Sequence, residues 1–268
     1  MPVSENPARP GWPGDLIAVG KILYAICIIG LGVQQIQYAD FQPVILPEWP
    51  SFLHEYILAY AIGIALILAG ILIILNKKAR IIAFLLGIFF LFCFFCFHVI
   101  YQCFIIQYSF HLGLWTDALK ELALSGGAFV VAGSFKENAF ITSGKLMETG
   151  RIFFSLMLIL FGIDHLLYTD FVAGLVPSWI PFHLFWTYFG AVALSGSGIA
   201  ILLKIKLPQV SVLLGVMLLI WFLILHIPRA ITDPHSGNGN EITSVFEALG
   251  FAGIAFIIAG LYKKNRNG

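Results

Sequence analysis

The chain has 268 residues, of which 60% are hydrophobic and 11% charged, with a formal net charge of +1 and a mean hydropathy of +0.94. Soluble domains carry about 25% charged residues, so these charges are too few to cover a soluble surface of this size. Four Cys exclude a disulfide scaffold, the aromatic content excludes disorder, and the charge balance leaves no basic stripe for nucleic acid. A membrane-crossing helix needs about 20 mostly apolar residues, and the sequence offers eight such runs at 17–38, 54–75, 80–105, 118–135, 149–168, 182–203, 208–228 and 243–262. Polar punctuation separates them, and no period-2 pattern suggests barrel strands. The expected fold is therefore all-α, a polytopic membrane protein with eight transmembrane helices. Residues 1–14 lack a basic n-region, so the first run is expected to be retained as a helix.

Of the fifteen Lys and Arg, all but Lys120 and Arg229 flank one side of these runs. The positive-inside rule makes that side cytoplasmic, with both termini on it. The expected location is a bacterial cytoplasmic (inner) membrane, with the lipid bilayer as the first partner.

The two halves align to each other. Gly20-Lys21-Ile22 matches Gly150-Arg151-Ile152, and Tyr38-Ala39-Asp40-Phe41 matches Tyr168-Thr169-Asp170-Phe171. Further on, Gly70 pairs with Gly198, Leu86-Gly87 with Leu214-Gly215, His98 with His226, and Ala132-Gly133 with Ala259-Gly260. Each half holds four runs, which predicts two parallel four-helix-bundle repeats. They span residues 15–136 and 149–268, with a cytoplasmic tail at 1–14 and a cytoplasmic linker at 137–148.

The segments Gly162-Ile163-Asp164-His165-Leu166-Leu167-Tyr168-Thr169-Asp170-Phe171 and Leu175-Val176-Pro177-Ser178-Trp179-Ile180-Pro181, then His183-Leu184-Phe185-Trp186, resemble the DoxX-like family of membrane proteins. Leu225-His226-Ile227-Pro228-Arg229 and Phe246-Glu247-Ala248-Leu249 fit the same pattern. The resemblance covers the second half well and the first half as a degenerate copy. It implies four-helix bundles, several of them linked with quinone or thiol redox partners.

After the first helix of each half, Asp40 and Asp170 are placed to cap a short turn, and Trp49 and Trp179 to anchor at headgroup level. A lid over a pocket is the functional alternative. All seven His, and the carboxylates Glu55, Glu121, Asp164 and Glu247, fall in outer loops or outer helix halves. Ionisable groups inside a bilayer usually face the bundle interior or a wet cavity, so this distribution predicts a polar pocket opening outward. His98 and Tyr101 share a helix face with Gln102, and His226 shares one with Arg229. Gln34 and Tyr38 are replaced in the second half by Asp164 and Tyr168. Arg229 is the expected countercharge for Glu247 or Asp164.

The candidate catalytic groups are His98, His226, Asp164 and His165. Glu121, Glu247, Arg229, Tyr101, Tyr168 and Gln34 are the candidate substrate-binding groups. Imidazole titrates near neutrality, and with carboxyl groups it suits proton relay to a quinone head group. Haem ligation by His98 and His226 is the weaker cofactor reading, and no metal site is expected. A membrane subunit of a redox system, working with a soluble or peripheral oxidoreductase, is the leading expectation. The alternative is a non-enzymatic membrane binding, transport or assembly protein, with the same groups serving structure. Cys93 and Cys96 lie mid-helix in lipid, where a thiolate is disfavoured, and are expected to pack as apolar residues. Walker A, GxGxxG, HExxH and G-x-S-x-G motifs are missing.

Overall fold

A computed structural model describes residues 12–47, 56–106, 110–135 and 142–266. Secondary structure among the described residues is entirely helical. The long helices are α1 (Trp12–Tyr38), α2 (Tyr56–Ile74), α3 (Ala79–Cys93), α4 (Thr116–Gly133), α5 (Ser143–Leu167), α7 (His183–Leu202), α8 (Leu207–Trp221) and α10 (Asn240–Arg266). Two short helices, α6 (Thr169–Leu175) and α9 (Ile227–Thr232), lie at the ends of α5 and α8.

Among the described residues seven helices are long and apolar enough to cross a membrane, with α3 and α8 extended to Ile105 and Thr232 by π-helical turns and α9. This makes the chain a polytopic helical membrane protein. The eighth long helix, α4, carries Asp117, Lys120 and Glu121, yet every residue from Ala118 to Gly133 is buried. A charged helix survives in an apolar molecule only when neighbouring helices supply its partners.

The packing follows from small residues. Helix α4 lies against α5, and α1 against α10, while α4 and α10 touch at the centre. A Cβ on Gly126 would meet the carbonyl oxygen of Gly150 at 2.7 Å, and one on Gly253 would meet that of Gly20 at 2.5 Å. Hydrogen atoms at these positions let the backbones approach directly. Outer layers repeat the device: Gly70 seats against Ala25 and Ile29, Gly198 against Ser155 and Ile159, Gly87 against Phe129, and Gly215 against Phe256.

One end of the bundle is knitted by basic residues. Lys21 donates to Asn76 at 3.1 Å, and Arg80 donates to the Phe135 carbonyl at 2.8 Å and to Ser143 Oγ at 2.6 Å. Arg151 donates to the carbonyls of Ile201 and Leu202 at 2.6 and 2.7 Å. Those carbonyls at the C-terminus of α7 lack intrahelical donors, so the guanidinium serves as their cap. The tight turns at this end place Asn76, Lys78, Lys204 and Lys206 at positive φ.

At the other end the helices are irregular. π-helical turns occupy Phe94–Val99, Tyr101–Ile105 and Phe222–His226, so His98 and His226 each stand in one. Such turns widen the helix locally and redirect side chains. One expected cap is corrected here: Asp170 sits within the first turn of α6, whose cap residue Tyr168 provides no side-chain bond, whereas Asp40 accepts from the Phe41 N–H at 2.7 Å. Trp179 is exposed, whereas Trp49, His54 and Glu55 lie outside the described residues.

Candidate functional site

The polar groups at the irregular end form a band across α3, α4, α8, α9 and α10. Its first member is His98, whose Nε2 lies 3.3 Å from both the Val44 carbonyl oxygen and Glu121 Oε2. A carbonyl can only accept, so Nε2 carries the proton. Glu121 is fully buried and neither of its oxygens completes a hydrogen bond. A buried carboxyl left without hydrogen-bond partners is a candidate functional group.

The second member is centred on Lys120. Its ammonium lies 3.1 Å from Glu247 Oε2 and 3.3 Å from Asp117 Oδ1. The sequence offered Arg229 as the countercharge for Glu247 or Asp164; the structure gives Glu247 to Lys120. Lys120 reaches Glu247 because α4 and α10 cross at the bundle centre. Arg229 instead forms a two-pronged pair with Glu241 through Nε and Nη2, and its Nη1 donates to the Leu175 carbonyl at 2.7 Å. Half-buried His226 lies within electrostatic range of Arg229, Lys120 and Glu241, with Nδ1 unpartnered.

Beside Arg229 a cleft of about 410 Å³ opens between α6, the following loop, α7 and α9. Arg229, Glu241, Asp233, His183 and Ser178 give it polar walls. Replacing Arg229 with Lys keeps the charge and loses the fork that matches a carboxylate. Chemical denaturation in detergent is expected to register a loss of about 1–3 kcal/mol, and an unchanged midpoint would remove this pair as a support of α9.

The remaining sequence candidates fall elsewhere. His165 Nδ1 donates to the Phe161 carbonyl at 2.7 Å, and its ring packs toward Gly190 on α7. Asp164, on the same helix, is buried with Oδ1 unpartnered. Tyr168 stacks on His111 with ring centres 4.4 Å apart. Gln34 donates to the Gly239 carbonyl at 3.1 Å and accepts from Thr243 at 3.1 Å. Tyr101 is half-buried in the second π-helical turn, and its neighbour Gln102 donates to the Leu114 carbonyl at 2.5 Å. The ten candidates therefore do not share one pocket. They divide into the central band, the cleft wall, and two junctions at the ends of α1 and α5.

Sequence reasoning missed Asp117, Glu241, His111, Gln42 and Thr243 as partners. Asp117 and Lys120 stand at i, i+3 on one helix, a spacing that signals their pairing. The contact of His111 with Tyr168 joins a loop to a helix more than fifty residues away and leaves no local signal. All four cysteines are free. Among the described residues no group of three or more His, Cys, Asp or Glu is arranged to hold a metal ion.

Comparison with models of known families, with curated proteins and with solved structures returns no match to this chain.

Proposed function

We propose that this is a DoxX-like membrane subunit of a redox system, binding a quinone-type head group at the outer end of its bundle. The observation carrying this reading is the charge composition of the polar band. Asp117, Glu121, Glu241 and Glu247 supply four carboxyl groups, against the two permanent cations Lys120 and Arg229 and the imidazoles of His98 and His226. Carboxyl and imidazole groups gathered in an apolar surround offer sites that can take up and pass on protons. Reduction of a quinone to a hydroquinone consumes two protons, and groups of this kind can deliver them.

The reading includes eight spanning helices, α4 being the eighth, arranged as two parallel repeats in a bacterial cytoplasmic membrane with both termini cytoplasmic. Several paired contacts support the duplication. Gly20–Gly253 is mirrored by Gly150–Gly126, Gly87–Phe129 by Gly215–Phe256, and the π turn at His98 by that at His226. The knitted basic end supports a cytoplasmic assignment for that side. A soluble or peripheral oxidoreductase is the proposed electron partner.

Protein extracted from its membrane in mild detergent is expected to release a lipid-soluble quinone into hexane, detected by ultraviolet absorbance. Joint His98→Ala and His226→Ala replacement is expected to abolish binding of added quinone. Full binding by the joint variant would remove those two roles. The cleft of about 410 Å³ with polar walls favours transport or binding of a polar solute as the second reading. Two interconverting conformations with no bound quinone would select it.

A further inference from the structure

The chain contains two similar junctions, and one of them serves as an internal control for the other. At the first, the C-terminal end of α1 meets the start of α10. Gln34 donates to the Gly239 carbonyl, Thr243 Oγ1 lies 3.1 Å from both Gln34 Oε1 and Gln42 Oε1, and the Tyr38 hydroxyl donates to the Pro234 carbonyl at 3.3 Å. Gln34, Gln42 and Thr243 are all buried. The Gln34 amide thus has both its donor and its acceptor engaged by the junction's own groups, and Gln42 Nε2 is left without a partner.

At the second junction the C-terminal end of α5 meets the start of α4. The aligned residues are Asp164 for Gln34, Tyr168 for Tyr38, Val172 for Gln42 and Thr116 for Thr243. The tyrosine is again set against a loop glycine: Gly113 N–H donates to the Tyr168 hydroxyl at 3.4 Å. The threonine keeps its local bond, Thr116 Oγ1 donating to the Gly113 carbonyl at 2.6 Å as Thr243 does to the Gly239 carbonyl at 3.3 Å, but Val172 has no polar atom where Gln42 has an amide. Asp164 is 8% exposed, and its Oδ1 has no partner. It precedes Tyr168 by four residues, one helical turn, and Tyr168 is stacked on the exposed His111 with ring centres 4.4 Å apart. A buried acceptor beside an aromatic platform is unfavourable in the empty protein and favourable once a donor arrives.

We propose that the α4–α5 junction is the docking site for an aromatic hydroxyl, bound by donation of its O–H to Asp164 and by packing of its ring against the His111–Tyr168 pair. An aromatic hydroxyl supplies what the first junction obtains from Thr243, a neutral O–H donor. It also supplies a flat apolar face for the stacked rings. The inference rests on the quinone reading and adds to it a separate docking point for the reduced, hydroxyl-bearing form, apart from the band that holds His98 and His226. The junction opens on the same first turn of α4 that carries Asp117 and leads to Lys120 and Glu121.

The test uses full-length protein in lipid nanodiscs titrated with tetramethylhydroquinone, its oxidised quinone and its dimethyl ether, followed by calorimetry. Wild type is expected to bind the hydroquinone and to reject the ether, which lacks the O–H. Asp164→Leu, and separately the pair Asp164→Gln with Val172→Gln, should weaken hydroquinone binding by at least about tenfold. Gly196→Ala, with nothing within 4 Å of the added carbon, should leave it unchanged, and His111→Ala should weaken it several-fold. Helical circular dichroism and a single elution peak show which variants fold, and His111→Ala, at an exposed loop position, decides the matter if the Asp164 variants do not. Wild-type affinity in folded Asp164 variants overturns this site while leaving the quinone reading standing. Binding of the quinone without the hydroquinone overturns hydroxyl recognition, and binding of neither overturns the inference together with the reading beneath it.

Discussion

Replacing Lys120 with Met destabilises the bundle by about 3–5 kcal/mol, because one member of a buried ion pair is removed and the other is left uncompensated. Lys120 and Glu247 are both among the buried residues, and the ammonium lies between Glu247 and Asp117 at 3.1 and 3.3 Å. Methionine fills nearly the same volume, so the loss reports charge rather than a cavity. The Glu247 carboxylate would then face the core without a cation, and its Oε1 already lacks a partner. Adding Glu247→Leu to Lys120→Met should recover most of the loss, since exchanging a whole buried pair for apolar residues is often neutral. Asp117, with its side chain 37% exposed, is left in contact with solvent and tolerates the change. Unfolding in mixed micelles titrated with sodium dodecyl sulfate measures all three proteins. A loss below about 1 kcal/mol in the single variant, the range of exposed pairs, would show that this lysine is hydrated rather than paired.

Valine at Gly126 is expected to have a comparable effect through a different cause. The first carbon added there would lie 2.7 Å from the Gly150 carbonyl oxygen and 2.9 Å from Phe153 Cβ. Backbone cannot rotate away as a side-chain tip does, so α4 and α5 must separate along their length. Overpacking of side chains costs about 1–3 kcal/mol, and backbone contact places this variant at the upper end or beyond. Gly253→Val should match it, because its first carbon meets the Gly20 carbonyl oxygen at 2.5 Å. Gly196→Ala is the control, with nothing within 4 Å of the added carbon, and should leave stability unchanged. Equal tolerance of Gly126→Val and Gly196→Ala in the same denaturation assay would show that the α4–α5 contact is looser than described.

The helical spans were legible because hydrocarbon admits only hydrogen-bonded helices or closed barrels. Their ends were less so. Helix α5 begins at Ser143 rather than near 149, since Thr142 Oγ1 accepts from the Lys145 N–H and lets the helix extend into polar sequence. The line through α8 continues to Thr232 past Pro228, because proline is tolerated in the first turn of α9. Hydropathy marks where a chain is apolar, and caps decide where its helix starts.

The candidate residues were legible in kind and in depth, but not in partnership. Arg229 and Lys120 were the two cations outside the basic face, and nothing local indicates that they would meet Glu241 and Glu247. Arg229 takes Glu241, twelve residues on and across one turn of the chain, while Lys120 takes Glu247 across the crossing of α4 and α10. Asp164 and His165 are adjacent in sequence and part company in space, since consecutive helical residues point about 100° apart. One is buried with an unpartnered oxygen, and the other packs toward α7.

The opening charge count therefore determined the solvent of this protein. An 11% charged chain cannot present a wetted surface, and its Lys and Arg assemble at one end of the bundle. Tertiary structure alone decided what the remaining polar residues do. Ion pairs and hydrogen bonds act over about 3 Å, and the helices that bring such groups together are far apart in sequence. Only the packing of α4 against α10 gives Lys120 its second carboxylate, Glu247, and only the loop before α4 brings His111 to Tyr168.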